Sequence, residues 1–375
     1  MTLRKMLARD PHEAHRPATP LELFFDLCFV VAIAQVAAKL HHGLSEGHVT
    51  EAIPGYLTVF LAIWWAWMGF TWFASAYDTN DTPYRLKVFL QMAGVLVLAA
   101  GVPRAFDHGD FSLVVLGYVI MRIGLVALWL RAARANPQTR PASLRYAGGI
   151  IVLQAGWIGL LWAPVPFLAG WGVLVLLELL LPIWAERAAP STWHAHHIAE
   201  RYGLFTIIVL GEAVLAATLA IQAVLESGSL DAGLVRGIVG GLVILFSMWW
   251  LYFEVPSHKL LGSFTQAFVW GYGHLLIFTS AAAVGSGLAV YADFATHHSH
   301  LDATGATLAL AVPLAIYVLA VWALLLRPSI PDNTVSAAFP LGAALLLVGT
   351  QSPWPLVTLA AIMAGWVGLL VVARM

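Results

Sequence analysis

Apolar runs of about twenty residues recur about twelve times along the chain, and none shows the period-two alternation that a membrane barrel strand needs. They extend roughly from Pro20 to Leu40, Pro54 to Ala76, Tyr84 to Phe106, Phe111 to Ala133, Leu144 to Trp162, Pro166 to Ala185, Ile198 to Leu225, Asp231 to Phe253, Gln266 to Ala292, Ala303 to Leu326, Ser336 to Thr350 and Trp354 to Val372. Only helices and closed barrels satisfy backbone hydrogen bonds in lipid. The pattern therefore predicts an all-α, polytopic membrane protein of about twelve transmembrane helices. The eleventh run is short, and Gln351, Ser352 and Pro353 leave only a tight turn before the twelfth.

Composition agrees with the pattern. Of 375 residues, 60% are hydrophobic and 10% charged, against roughly 25% charged in a soluble domain. A formal net charge of -1 provides no basic surface for nucleic acid. The expected partners are the lipid bilayer and an ion or small molecule; no cofactor is expected, and the sequence leaves the oligomeric state open. Cys28, alone in the sequence, cannot form an internal disulfide and says nothing about redox compartment. Residues 1–19 lack the apolar centre of a cleaved signal peptide and read as a cytoplasmic segment.

Lys39, Arg104 and Arg236 fall at one side of the spans; the other lysines and arginines, Arg122 excepted, fall at the opposite side. The positive-inside rule then places both termini in the cytoplasm. Outer loops carry His41, His42, His48, His108, His297, His298 and His300, which read as solvated loop residues or as weak metal capture or pH sensing. Sliding the chain by about 180 residues sets Leu23-Phe24-Phe25-Asp26 on Gly203-Leu204-Phe205-Thr206 and Asp78 on His258. This suggests two parallel six-helix halves, 20–190 and 191–375. In each half an acid-bearing helix precedes one rich in tryptophan, first Trp64, Trp65, Trp67 and Trp72, then Trp249 and Trp250. These indoles read as core or interface packing, with a cation-binding cage as the lesser alternative.

Charges inside spans cost about 2.5–3.5 kcal/mol each and persist where they have a partner or a task. Glu22 and Asp26 lie four apart on one face near the start of the first helix. Glu22 reads as an interfacial cap favoured by the helix dipole, and Asp26, a turn deeper, as facing a helix partner or an ion route. Gln35 is expected inside the bundle. His196 and His197 stand four and three residues before Glu200, a spacing that suits a proton relay or metal, or else Glu200 is bridged by Arg201 or a loop arginine. Glu212, Arg122 and Glu178 sit mid-span, so Arg122 is expected to meet Glu212 or Glu178. Glu254 and His258 flank Pro256 and are expected in a loop, with Asp78, Asn80 and Asp81 forming an equivalent vestibule in the first half. His274 follows Gln266 and Trp270 at four-residue steps and reads as a helix-to-helix hydrogen bonder.

Three segments carry a resemblance: Pro20-Leu-Glu-Leu-Phe-Phe-Asp-Leu-Cys-Phe-Val-Val-Ala-Ile-Ala-Gln35, His197-Ile-Ala-Glu-Arg-Tyr-Gly-Leu-Phe-Thr-Ile-Ile-Val-Leu-Gly-Glu212, and Tyr252-Phe-Glu254 through His258 with His274 beyond. Over nearly its whole length the chain resembles the low temperature requirement protein A (LtrA) family of bacterial membrane proteins. That resemblance implies a bacterial plasma membrane and a link to growth in the cold, without a biochemical activity. Phe25-Asp26 followed by Phe29 is also similar to the Phe-Ser-Asp first-helix signature of a potassium channel family built from six-helix repeats. Here Phe25 replaces the serine and Phe205-Thr206 the second-half acid, so no pore residue carries over.

Three functions follow. The favoured one is a transporter or channel for an ion or small solute, with Asp26, Arg122, Glu178, Glu212 and His274 along a polar path, Asp26, Arg122 and Glu212 forming a relay. The second is an intramembrane enzyme acting on a lipid through His197, Glu200, Glu254, His258 and His274. The third is a non-catalytic scaffold or sensor.

Overall fold

The computed structural model describes residues 4–11, 13, 16–226, 232–330 and 333–374. Among them run twelve α-helices: α1 (Pro20–Ser45), α2 (Val49–Tyr77), α3 (Thr82–His108), α4 (Ser112–Ala135), α5 (Arg140–Leu160), α6 (Phe167–Glu186), α7 (Ala195–Glu226), α8 (Ala232–Phe253), α9 (Phe264–Ala295), α10 (Ala303–Val321), α11 (Asn333–Gly349) and α12 (Pro355–Arg374). A π turn, Trp322–Leu326, prolongs α10, and the described residues include no strand. Among the described residues, ten helices are long and apolar enough to cross a membrane. The exceptions are α5, which carries Arg140, Arg145 and Gln154, and α11, whose apolar part is only Val335–Gly349.

Local chemistry fixes where these helices begin. Thr19 donates its N–H and Oγ1–H to Glu22 Oε2 at 2.7 and 2.9 Å, while the Glu22 N–H returns to Thr19 Oγ1 at 3.3 Å. With Pro20 as first helical residue, this is a capping box that starts α1. Asp81 starts α3 by accepting the Tyr84 N–H at 3.1 Å, and Gly109 ends it at φ 63°, a left-handed turn that glycine adopts without strain. Ser263 and Asp302 cap α9 and α10 in the same manner.

By packing, the chain divides into two compact units, the first Met1–Gln35 with Ala62–Arg201, the second Val36–Leu61 with Tyr202–Met375. In the first unit α3, α4, α5 and α6 pack successively as hairpins. A Cβ added at Gly94 of α3 would lie 2.6 Å from the Gly117 carbonyl oxygen of α4, and one at Gly117 would lie 2.6 Å from the Gly94 oxygen. Only glycine lets these backbones come so close, the small-residue contact typical of membrane helices. In the second unit α9 packs on α10 and α8 on α12. Hydroxyls tie its helices together: Tyr56 donates to Thr279 O at 2.6 Å, Ser286 to Ala37 O at 2.9 Å and Tyr317 to Met248 O at 2.8 Å.

The outward faces are apolar, as acyl chains require. α6 exposes Val173, Leu176, Leu177, Leu180 and Trp184. Along α1 the exposed row runs Phe24, Leu27, Val31, and Gln35 continues it four residues on. Gln35 is thus exposed, correcting the expectation that it lies inside: helical period, not polarity, sets its direction.

Candidate functional site

α1 presents two acids one turn apart, and α7 presents two bases at the same spacing. In the first unit these pairs face each other. The Arg201 guanidinium grips Asp26 with both arms, Nη2 to Oδ1 at 2.5 Å and Nε to Oδ2 at 3.1 Å. Its third nitrogen, Nη1, lies 3.2 Å from Glu22 Oε1, and the same oxygen is 3.0 Å from His197 Nε2. Glu22 Oε1, His197 Nε2 and Arg201 Nη1 are thus in ion-pair range without the alignment of a hydrogen bond. From α2, Trp67 Nε1 donates to Asp26 Oδ1 at 2.7 Å, and Thr71 Oγ1 accepts from Arg201 Nη2 at 3.4 Å. Glu22, Asp26, His197 and Arg201 all have 0% of their surface exposed.

The formal charge of this cluster follows directly. Among the groups in direct contact, two carboxylates and one guanidinium sum to minus one with a neutral imidazole and to zero with an imidazolium, and buried Arg16 is a further cation nearby. A charge taken out of water costs several kcal/mol unless paired, so proton movement onto or off this group is coupled to its packing. Glu22 is a helix cap, as its position suggested, yet a fully buried one that also pairs with His197 and Arg201. Asp26 meets a helix partner, Arg201 of α7, rather than Arg122 or Glu212.

The N-terminal segment lies beneath this cluster. Buried Arg16 donates to Ser75 O and, at 2.7 Å, to Ala74 O, both carbonyls of the last turn of α2. The Arg9 N–H reaches Ala76 O at 2.9 Å, and His194 Nε2 bonds Glu13 O at 2.8 Å. Glu200 accepts the Ala18 N–H at 3.1 Å. It thereby fastens the segment, while Arg201 turns inward; the expected bridge of Arg201 to Glu200 is replaced because the two point along different faces of α7.

Asp78, Asn80 and Asp81 form a turn rather than an open vestibule. Asp78 Oδ1 accepts the Asn80 N–H at 2.8 Å, with Asn80 at φ 46°. Asp81 binds the Arg131 guanidinium and the Arg4 N–H, the latter at 3.3 Å. The hydrogen bond from Arg131 holds the Asp81 carboxyl down at about 2. Since that lies below the ordinary aspartate value of about 3.9, the stabilisation is complete above pH 4 and fades as pH falls towards 2. Hydrogen exchange at the Arg4 amide is expected to stay slow at pH 3 in the wild type and to become fast there in Arg131→Gln.

A second buried pair occupies the same unit. Arg122 of α4 meets Glu178 of α6, Nη2 to Oε1 at 2.6 Å. Trp157 Nε1 donates to the same oxygen at 2.9 Å and Trp65 Nε1 to Oε2 at 3.0 Å. Arg122 also lies 5.0 Å from the Tyr118 ring centroid. Of the two acids that were candidates for Arg122, the structure gives it Glu178. Trp65 and Trp67, read from the sequence as packing residues, each neutralise part of a buried carboxylate.

The second unit holds the remaining candidates, and they do not gather. Half-buried Glu212 on α7 has no ion-pair partner among the described residues. His274 bonds Trp270 O through Nδ1 at 2.7 Å and the Tyr252 hydroxyl through Nε2 at 3.0 Å. A carbonyl can only accept, so Nδ1 carries a proton, and the bond between Nε2 and the Tyr252 hydroxyl joins α9 to α8. Glu254 lies just past α8 and His258 within the short 3-10 turn Ser257–Leu260. Of the outer histidines, His41 Nε2 lies 2.7 Å from Asp293 Oδ2, which also accepts from Ser45 Oγ at 2.7 Å. Among the described residues no three His, Cys, Asp or Glu side chains are grouped to hold a metal ion.

The sequence profile of the bacterial low temperature requirement A protein, LtrA, matches residues 17–373. The chain belongs to the LtrA family. An uncharacterized protein of Rhizobium meliloti (strain 1021) is 30% identical over 302 residues, covering 74% of this chain and 69% of its own. The profile match takes in both the acids of α1 and the bases of α7. Trp67, Thr71 and Thr19 went unnoticed as site residues in the sequence. Thr19 alone had a signal there, the Thr-Pro-Leu-Glu capping box.

Proposed function

We propose that this LtrA protein moves an ion or small solute across the membrane, with Glu22, Asp26, His197 and Arg201 as the charged step of the path. The observation that carries this reading is the imbalance of the buried cluster: two carboxylates against one guanidinium, with an imidazole able to make up the difference. A static ion pair needs only matched charges, whereas an acid in excess beside a histidine is suited to accept and release a proton or cation. Arg122 with Glu178, Glu212 and His274 take supporting places, the first two as an internal pair and His274 as a link between helices.

The location proposed is the bacterial plasma membrane, with both termini cytoplasmic, following the lysine and arginine distribution. The link to cold growth rests on the family description. The test is flux into phospholipid vesicles containing purified protein, with proton, sodium, potassium and chloride gradients in turn. Wild type is expected to accelerate equilibration of at least one gradient, and His197→Gln to lower that rate at least tenfold near neutral pH. No acceleration over protein-free vesicles for any of the four would count against transport of these ions, and an unchanged His197→Gln rate would remove the histidine from the path.

A further inference from the structure

The Arg122 and Glu178 pair leaves a set of donors unused. Glu178 already accepts from Arg122, Trp65 and Trp157, so its charge is offset and both its oxygens are occupied. Arg122 Nη1 is buried with no hydrogen-bond partner among the described residues. Gln154 of α5, 6% exposed, is in the same position at both Nε2 and Oε1. Buried polar groups are almost always bonded, and an exception calls for a ligand, ion or water.

Helix register brings the two orphans to one level. Trp129 of α4 stacks on Tyr146 of α5 with centroids 4.2 Å apart. Seven residues back along α4 is Arg122, and seven forward along the antiparallel α5 is Leu153, beside Gln154. From the other neighbour, Gly149 faces Leu181 and Gly156 faces Leu174, which sets Glu178 of α6 between those contacts, opposite the 149–156 stretch of α5. Gln154 also shares a face with Trp157, three residues on, whose indole already touches Glu178. The unused inventory there is four N–H donors, two on Arg122 Nη1 and two on Gln154 Nε2, against one acceptor, Gln154 Oε1.

We infer that Arg122 and Gln154 form a buried binding site for a small monovalent anion, a halide or a simple carboxylate. The pair is neutral overall, so what selects an acceptor-rich ligand is the surplus of N–H donors, two of them on a guanidinium, whose bonds are the stronger kind. The site is separate from the Glu22 and Asp26 cluster, so it stands whether or not that cluster conducts.

Titration of purified protein in halide-free detergent buffer tests this, using sodium bromide and sodium formate as probes and sodium gluconate, a bulky anion, as the ionic-strength control. Calorimetry is expected to show saturable binding of bromide or formate and none of gluconate. Gln154→Leu, which removes the amide while keeping an apolar side chain of similar size, is expected to weaken binding at least tenfold with unchanged circular dichroism. Gln154→Glu, which adds a negative charge, is expected to abolish it, and this variant carries the test should Gln154→Leu misfold. Responses to bromide and formate no larger than to gluconate would overturn the site, leaving water to satisfy these groups. Binding unchanged in either variant would overturn it equally.

Discussion

Arg201→Gln is expected to destabilise the first unit by about 3–5 kcal/mol, because it leaves two buried carboxylates facing each other without their cation. Asp26 loses both arms of its grip, and Glu22 retains only His197 and the Thr19 cap. Glu22→Gln is expected to be milder. It removes the surplus charge, leaves Arg201 matched one-to-one with Asp26, and keeps an oxygen to accept from Thr19, at a cost of about 1–2 kcal/mol. Thermal unfolding in detergent, followed by tryptophan emission, separates the two. Equal destabilisation by both substitutions would mean that packing, rather than charge balance, governs this cluster.

The second large effect concerns Arg122 and Glu178. Glu178→Leu strands a buried guanidinium and is expected to cost about 3–5 kcal/mol, whereas the double variant Arg122→Met with Glu178→Leu is expected to return to within about 1 kcal/mol of wild type or exceed it. Denaturant unfolding of the two single variants and the double closes the cycle. A double variant as unstable as the sum of the singles would show that each residue acts through neighbours other than its partner. Trp65 and Trp157 are the neighbours in question, since both lose an acceptor when Glu178 is removed.

Helix limits were legible because lipid enforces a length and an apolarity on every span. α1 starts at Pro20 and α10 at Ala303, as the apolar runs indicated. The faces were legible too: Glu22 with Asp26 and His197 with Arg201 follow from a four-residue step on a helix. What the spacing could not supply is which face meets which. Asp26 and Arg201 are 175 residues apart in sequence, and one-dimensional periodicity does not choose between Arg201 and Arg122 as partner. The same limit hid Trp65 and Trp67, whose indole N–H groups are polar only in the direction of a carboxylate supplied by another helix. Glu200 was misassigned for a related reason. Its neighbour in sequence, Arg201, points a hundred degrees away around the helix.

Glu22 also shows how one residue can answer two demands. Its Oε2 closes the capping box with Thr19, and its Oε1 serves His197 and Arg201. The start of α1 and the charge of the site are therefore coupled through one carboxylate, and protonating that carboxylate would loosen both.

The most direct measurement is the flux carried by Glu22→Gln in vesicles, beside wild type at equal folded protein and well below the unfolding temperature of either. If the excess acid is the moving part of the path, the variant folds and its flux falls at least tenfold. A folded Glu22→Gln protein with wild-type flux would contradict the account.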